Sequence, residues 1–153
     1  MKVFRKPVRI NKEVTAKAVA YAINELGFCK ENLPPIYVCD HQAGNFSWKA
    51  GATWATREKQ TRIVIPLWAY ENPSEGIDLE DTTGYFEYYI AHELAHFNVW
   101  ADGNWDKEKR GSRRVPHGTY FYEWFQKLCP KEFQHFEYEY LNASATRYMG
   151  AKG

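Results

Sequence analysis

Cysteine is scarce in this chain, and its spacing excludes two frameworks. There are three, Cys29, Cys39 and Cys129, an odd number with no C-x-x-C pair. That pattern argues against a disulfide scaffold and against a zinc ribbon, and a reducing cytoplasm is the simplest home. Charge of one sign is also missing: the formal net charge is +1, so no global electrostatic case for nucleic acid exists. No apolar run approaches the about 20 residues that cross a bilayer. The basic stretch 1–10 lacks the continuous apolar centre of a signal peptide. Internal repeats, low-complexity tracts and domain linkers are absent too. What the 153 residues do have is 44% hydrophobic and 17% aromatic content, enough for one domain, 1–153, with a packed core.

Proline is absent between Leu79 and Ala101, and inside that stretch lies His92-Glu93-Leu94-Ala95-His96, an H-E-x-x-H pentapeptide. On a helix, residues four apart share a face one turn apart, so both imidazoles can reach one metal ion. Glu93 can then face a water in the open coordination position, which the metal acidifies and the carboxylate deprotonates. The flanks predict the helix. Asp81, Thr82 and Thr83 are N-cap candidates, Phe86, Ile90, Leu94, Phe97 and Ala101 form an apolar stripe, and Gly103 is a C-terminal stop.

Elsewhere the patterning predicts a helix over 11–27, capped by Asn11, striped by Val14, Ala18, Ala22 and Leu26, and ended by Gly27. Ile36–Cys39 reads as a strand. Residues 52–56 and 61–67 read as a β-hairpin with Pro66 at a strand end or edge, and 71–78 as a surface loop. Strand 61–66 is a candidate cleft edge for an extended peptide. Residues 104–116 read as a charged, mobile loop. Tyr120, Phe121, Trp124, Phe125 and Leu128 mark another amphipathic helix, and 131–141 a last one with Phe133, Phe136, Tyr140 and Leu141 inward. The fold class expected is α+β: an N-terminal helix, a small antiparallel sheet of about three strands, the H-E-x-x-H helix and C-terminal helices.

A catalytic zinc takes three protein ligands and keeps one position open. His117, in Pro116-His117-Gly118, is the best candidate for the third. Asp102 is the rival, at the spacing where H-E-x-x-H-x-x-G-x-x-H places a histidine, but Val99 stands where that pattern needs its turning glycine. Glu123, or no protein ligand, remains open. Tyr120 and Tyr122 are candidate oxyanion donors. Lys107, Lys109, Arg110, Arg113 and Arg114 could track a phosphate backbone, with Trp100, Trp105 and Tyr120 for stacking, although Asp106 and Glu108 dilute the cluster. Cys39 and His41 with Cys29 or Cys129 match no metal-ligand spacing.

H-E-L-A-H, a long variable insert and then H-G-x-x-F (His117, Gly118, Phe121) resembles the SprT-like zinc metalloproteases, which include Spartan. Ala50-Gly51 and Arg62-Ile63-Val64-Ile65 ahead of the motif helix follow the family's order. The resemblance covers residues 11–129, and 130–153 form a C-terminal helix and tail. It implies one Zn2+ per chain on His92, His96 and His117, Glu93 as general base, and a compact, minigluzincin-like helix–sheet–helix core. It also implies peptide-bond hydrolysis on protein or peptide substrates, with DNA or DNA-bound proteins as partners. The ribbon-free form looks like a phage-encoded or stand-alone version, which would act in the cytoplasm of a host. Two other classes compete: a non-catalytic module that keeps zinc for structure, and a nucleic-acid-binding module that uses the basic 107–114 loop.

Overall fold

Asn11 begins the first helix as its composition predicts. Its side-chain oxygen accepts a hydrogen bond from the Val14 amide at 2.9 Å, satisfying one of the orphan donors of a helix start. Helix α1 runs over Lys12–Asn24 and buries Val14, Ala18 and Ala22, one face at steps of four. The computed structural model describes residues 9–39, 62–77, 79–107, 109–110, 113–114 and 117–139. The expected strand at 52–56, the loop at 40–50 and the tail beyond 139 lie outside them.

Strand β1, Ile36–Cys39, is tied to the start of α1. The Asn11 amide donates to the Val38 carbonyl at 2.8 Å, and the Val38 amide donates to the Thr15 hydroxyl at 2.9 Å. β1 pairs with β2, Ile63–Pro66, in parallel, Ile36 opposite Ile63 and Cys39 opposite Pro66. The sequence led to an antiparallel sheet of about three strands; the pair described is parallel, and the expected hairpin partner of β2, 52–56, lies outside the described residues. Residues 40–62 are long enough for the crossover that a parallel pair requires. All four residues of β2 are buried, the continuous apolar run of a strand covered on both faces. Pro66 does sit at the strand end.

Two further expectations change. The loop expected at 71–78 is instead part of two short helical turns, α2 over Trp68–Glu71 and α3 over Pro73–Gly76, with Pro73 at a first helical position that needs no amide donor. The charged 104–116 loop holds a 3-10 turn, Trp105–Lys107, and an antiparallel pair of β3, Lys109–Arg110, with β4, Arg113–Arg114.

Helix α4, Tyr85–Ala101, is the centre of the molecule. It packs against α1, α2, β2 and α5, which spans Thr119–Leu128. Burial is not confined to the expected stripe. Tyr85, Phe86, Tyr88, Tyr89, Ile90, Ala91, Leu94, Ala95 and Val99 are all buried, whereas Phe97 is half-buried and Ala101 exposed. A helix apolar on nearly every side is one surrounded by protein. Its end matches expectation. Gly103 takes a φ of 76°, its amide donates to the Trp100 carbonyl at 3.0 Å, and the Asn104 amide donates to the Val99 carbonyl at 3.0 Å. That pair of bonds is a Schellman stop. The start differs. Asp81 accepts from the Thr83 amide at 2.9 Å in a local turn, and the cap position belongs to Gly84.

Gly84 is where the C-terminal segment docks. Its φ is 86°, a conformation L side chains rarely adopt, and a Cβ there would collide with the Phe133 ring. Phe133 lies in a 3-10 turn, Lys131–Phe133, followed by a helical segment over 135–139. Phe136, fully buried, packs its ring on Tyr85 and Tyr88. Gly84→Ala is expected to destabilise the protein by about 2–4 kcal/mol, the combined effect of left-handed backbone strain and overpacking. Denaturant unfolding checks this, and a loss below about 1 kcal/mol would mean the contact is not needed.

Candidate metal centre

The one-turn spacing on α4 puts the His92 and His96 rings 5.0 Å apart, centroid to centroid. The third ring comes from the far side of the 97–116 segment. His117 precedes Gly118, the N-cap of α5, and α5 packs along α4. His117 Nε2 lies 3.2 Å from His96 Nε2 and 3.2 Å from His92 Nε2. The ligand atoms of all three fall within 4.8 Å of one another, close enough for a single metal ion to reach them all. Phe121, one turn into α5 and fully buried, sets the spacing. Its ring lies 4.9 Å from His92, 4.4 Å from His96 and 4.8 Å from His117.

Behind His92 stands a residue that sequence reasoning missed. Glu137 is 1% exposed, and its Oε1 lies 2.7 Å from His92 Nδ1. Tyr88 donates its hydroxyl proton to the same oxygen at 2.8 Å, and Tyr122 donates to Oε2 at 3.2 Å. Burial alone would raise the Glu137 pKa, but the hydrogen bond from His92, the charge of that ring and the Tyr88 bond outweigh it and hold the carboxyl below its ordinary value. An ionised carboxylate only accepts, so the proton between the two groups sits on Nδ1. The Nε2 of a neutral His92 therefore carries a lone pair that faces the other two imidazoles.

The remaining groups are tuned by the same surroundings. Burial lowers the His92 pKa, yet the Glu137 hydrogen bond and the charges of Glu93 and Glu137 leave it raised overall. Burial, with the charge of His92, pushes His117 down to about 4, so that ring is neutral at physiological pH. Neutral imidazole is the form that binds a metal. Glu93 is buried, 3.8 Å from His92 Nε2. Burial raises its pKa to about 7; His92 opposes the shift and Glu137 adds to it. A carboxyl titrating near neutrality suits proton transfer.

Other sequence candidates lie elsewhere. Asp102 is exposed at the end of α4 and accepts from Trp124 Nε1 at 2.7 Å, outside the histidine cluster. The chain does continue as helix through Val99, so nothing turns Asp102 back. Glu123 is exposed on α5. Tyr122, a candidate oxyanion donor, donates its hydroxyl proton to Glu137; Tyr120, the other, is half-buried against the core. Lys107 is exposed, and Lys109, Arg110, Arg113 and Arg114 occupy the paired positions of β3 and β4. Cys39 is buried, and burial raises its thiol pKa against the effect of Arg62; the thiol of Cys129 is pushed up to about 12. Protonated thiols are poor ligands. His41 lies outside the described residues. Comparison with protein-family models, curated proteins and solved structures returns no match for the chain.

The buried charge of Glu93 makes a pH-dependent prediction for chelator-stripped protein. The folded carboxyl titrates near 7 against an ordinary 4.5, so its cost to folding is absent below pH 4.5, grows between the two values and is complete above 7. Glu93→Gln is therefore expected to be more stable than wild type at pH 8, by about 2–3 kcal/mol. The difference should vanish at pH 4. Equal stabilities at pH 8 in denaturant titrations would contradict the burial of a charge there.

Proposed function

We propose that this chain is a zinc-dependent metalloendopeptidase of the SprT-like kind. The observation that carries the reading is the convergence of three imidazole nitrogens beside the buried carboxyl of Glu93. Zinc bound tetrahedrally at 2.0–2.1 Å would set its nitrogen ligands about 3.3 Å apart. The two separations at His117 Nε2 are 3.2 Å. Imidazole donors suit zinc better than magnesium or calcium, which favour oxygen. Among the described residues no fourth histidine, cysteine or carboxylate joins the group, so the set supports an open catalytic site over a closed structural one.

When bound, zinc supplies Lewis acidity to a peptide carbonyl and lowers the pKa of a water at the open position. Glu93 takes the proton that the attacking water must lose. It returns the proton to the amine as the carbon–nitrogen bond breaks. Neutral His117 keeps its lone pair available, and the buried face of α4 and Phe121 exclude bulk solvent from behind the cluster. The substrate class we favour is protein associated with nucleic acid. Its support is the β3–β4 hairpin, which lies in the chain between the second and third histidines. Its paired positions are Lys109 with Arg114 and Arg110 with Arg113, four basic residues in six.

The test is metal content followed by proteolysis. Wild type and Asp102→Ala are expected to carry one zinc per chain, and His117→Ala to lose it. Glu93→Gln should keep zinc but cleave protein at least 100-fold more slowly, the loss of a general base. Duplex DNA should stimulate cleavage of a DNA-bound protein, and neutralising Arg110, Arg113 and Arg114 should remove the stimulation. Zinc retained in His117→Ala, or full proteolysis by Glu93→Gln, would overturn the reading.

A further inference from the structure

The C-terminal segment belongs to the metal centre rather than to a separate tail. It is anchored twice on the helix that carries the histidines, by Phe133 against Gly84 and by Phe136 against Tyr85 and Tyr88. Between those anchors and the cluster it presents one charged side chain, Glu137, to the interior. That carboxylate meets three donors: His92 Nδ1 at 2.7 Å, the Tyr88 hydroxyl at 2.8 Å and the Tyr122 hydroxyl at 3.2 Å. The donors come from two helices, Tyr88 and His92 from α4 and Tyr122 from α5, whose start follows His117. One carboxylate thus fixes the His92 ring and joins α4 to α5 behind the cluster.

Resting on the metal-centre reading above, we infer that Glu137 is the positioning residue of the site, holding His92 as the Nδ1–H tautomer with Nε2 bare toward the ion. The physical reason is that a ligating imidazole has two tautomers, and only one leaves Nε2 unprotonated. A carboxylate behind Nδ1 selects that tautomer, fixes ring orientation and makes the ligand more basic. Tyr88 and Tyr122 hold the carboxylate in turn, so it does not rotate away when the ring shifts. His92 then contributes more to the affinity for the ion than its place in the pentapeptide alone provides.

The test has two parts. In chelator-stripped wild type, nitrogen-15 spectra of the imidazoles, recorded at a pH where His92 has lost its second proton, should show the remaining proton on Nδ1; the Nε2–H tautomer overturns the inference without any variant. Zinc affinity is then measured by competition with a chromogenic chelator for wild type, Glu137→Gln and Glu137→Ala, with circular dichroism to establish that each is folded. Glu137→Gln keeps volume and an acceptor but removes the charge, and should weaken zinc binding about 10-fold. Glu137→Ala removes both and should weaken it toward 100-fold, with His92 redistributed to the Nε2–H tautomer. Should the alanine variant not fold, the glutamine variant and the wild-type spectrum still decide. Unchanged affinity in folded Glu137→Gln overturns the positioning role while wild-type zinc binding stands. Failure of the wild type to bind zinc overturns the metal reading itself.

Discussion

A carboxylate in a protein interior must be met by donors, and the arrangement of this molecule depends on how that demand is satisfied at Glu137. An isolated buried charge is strongly unfavourable, so its position is tolerable only where several donors converge. Here they are a histidine and two tyrosines from α4 and α5. Hydrogen bonds to a charged group contribute about 1.5–3 kcal/mol each. They tie the 131–139 segment to α4 and α5 alongside the apolar contacts of Phe133 and Phe136. The same three bonds set the orientation of His92, so the contact that closes the core also shapes the site.

Core and site are in this sense one object. Helix α4 is buried on nearly every face, and the histidines project from a helix that has little freedom to shift. Phe121 stands among all three imidazoles and is itself fully buried. Packing at that density transmits the position of one ring to the next, which is what a site requiring ring nitrogens about 3 Å apart demands. The buried Glu93 is held in the same environment, and its raised pKa is a consequence of that burial.

The elements of the fold were legible where a local signal existed. The Asn11 cap, the 14–18–22 stripe, the Gly103 stop and the α5 pattern all form as the residues suggest, because each depends on contacts within a few residues. The parallel pairing of β2 with β1 was not legible: Ile63-Val64-Ile65 shows a strand, but which strand lies beside it is decided by packing that local sequence does not encode. At the site, the two α4 histidines and His117 were marked by motif and by elimination of Asp102, whose side chain turns out to serve Trp124. Glu137 was not marked, although a signal was present. It falls four residues after Phe133 and three before Tyr140, on the stripe predicted to face inward. A charged residue on a buried stripe needs a partner, and that partner was the first histidine of the motif.

X-ray absorption at the zinc edge of the metal-loaded protein tests the three-histidine centre. Three imidazole nitrogens at about 2.0 Å, one further light-atom ligand from solvent and no sulfur are expected. A spectrum with two imidazoles, or with any zinc–sulfur distance, would place the metal elsewhere and contradict the three-histidine centre.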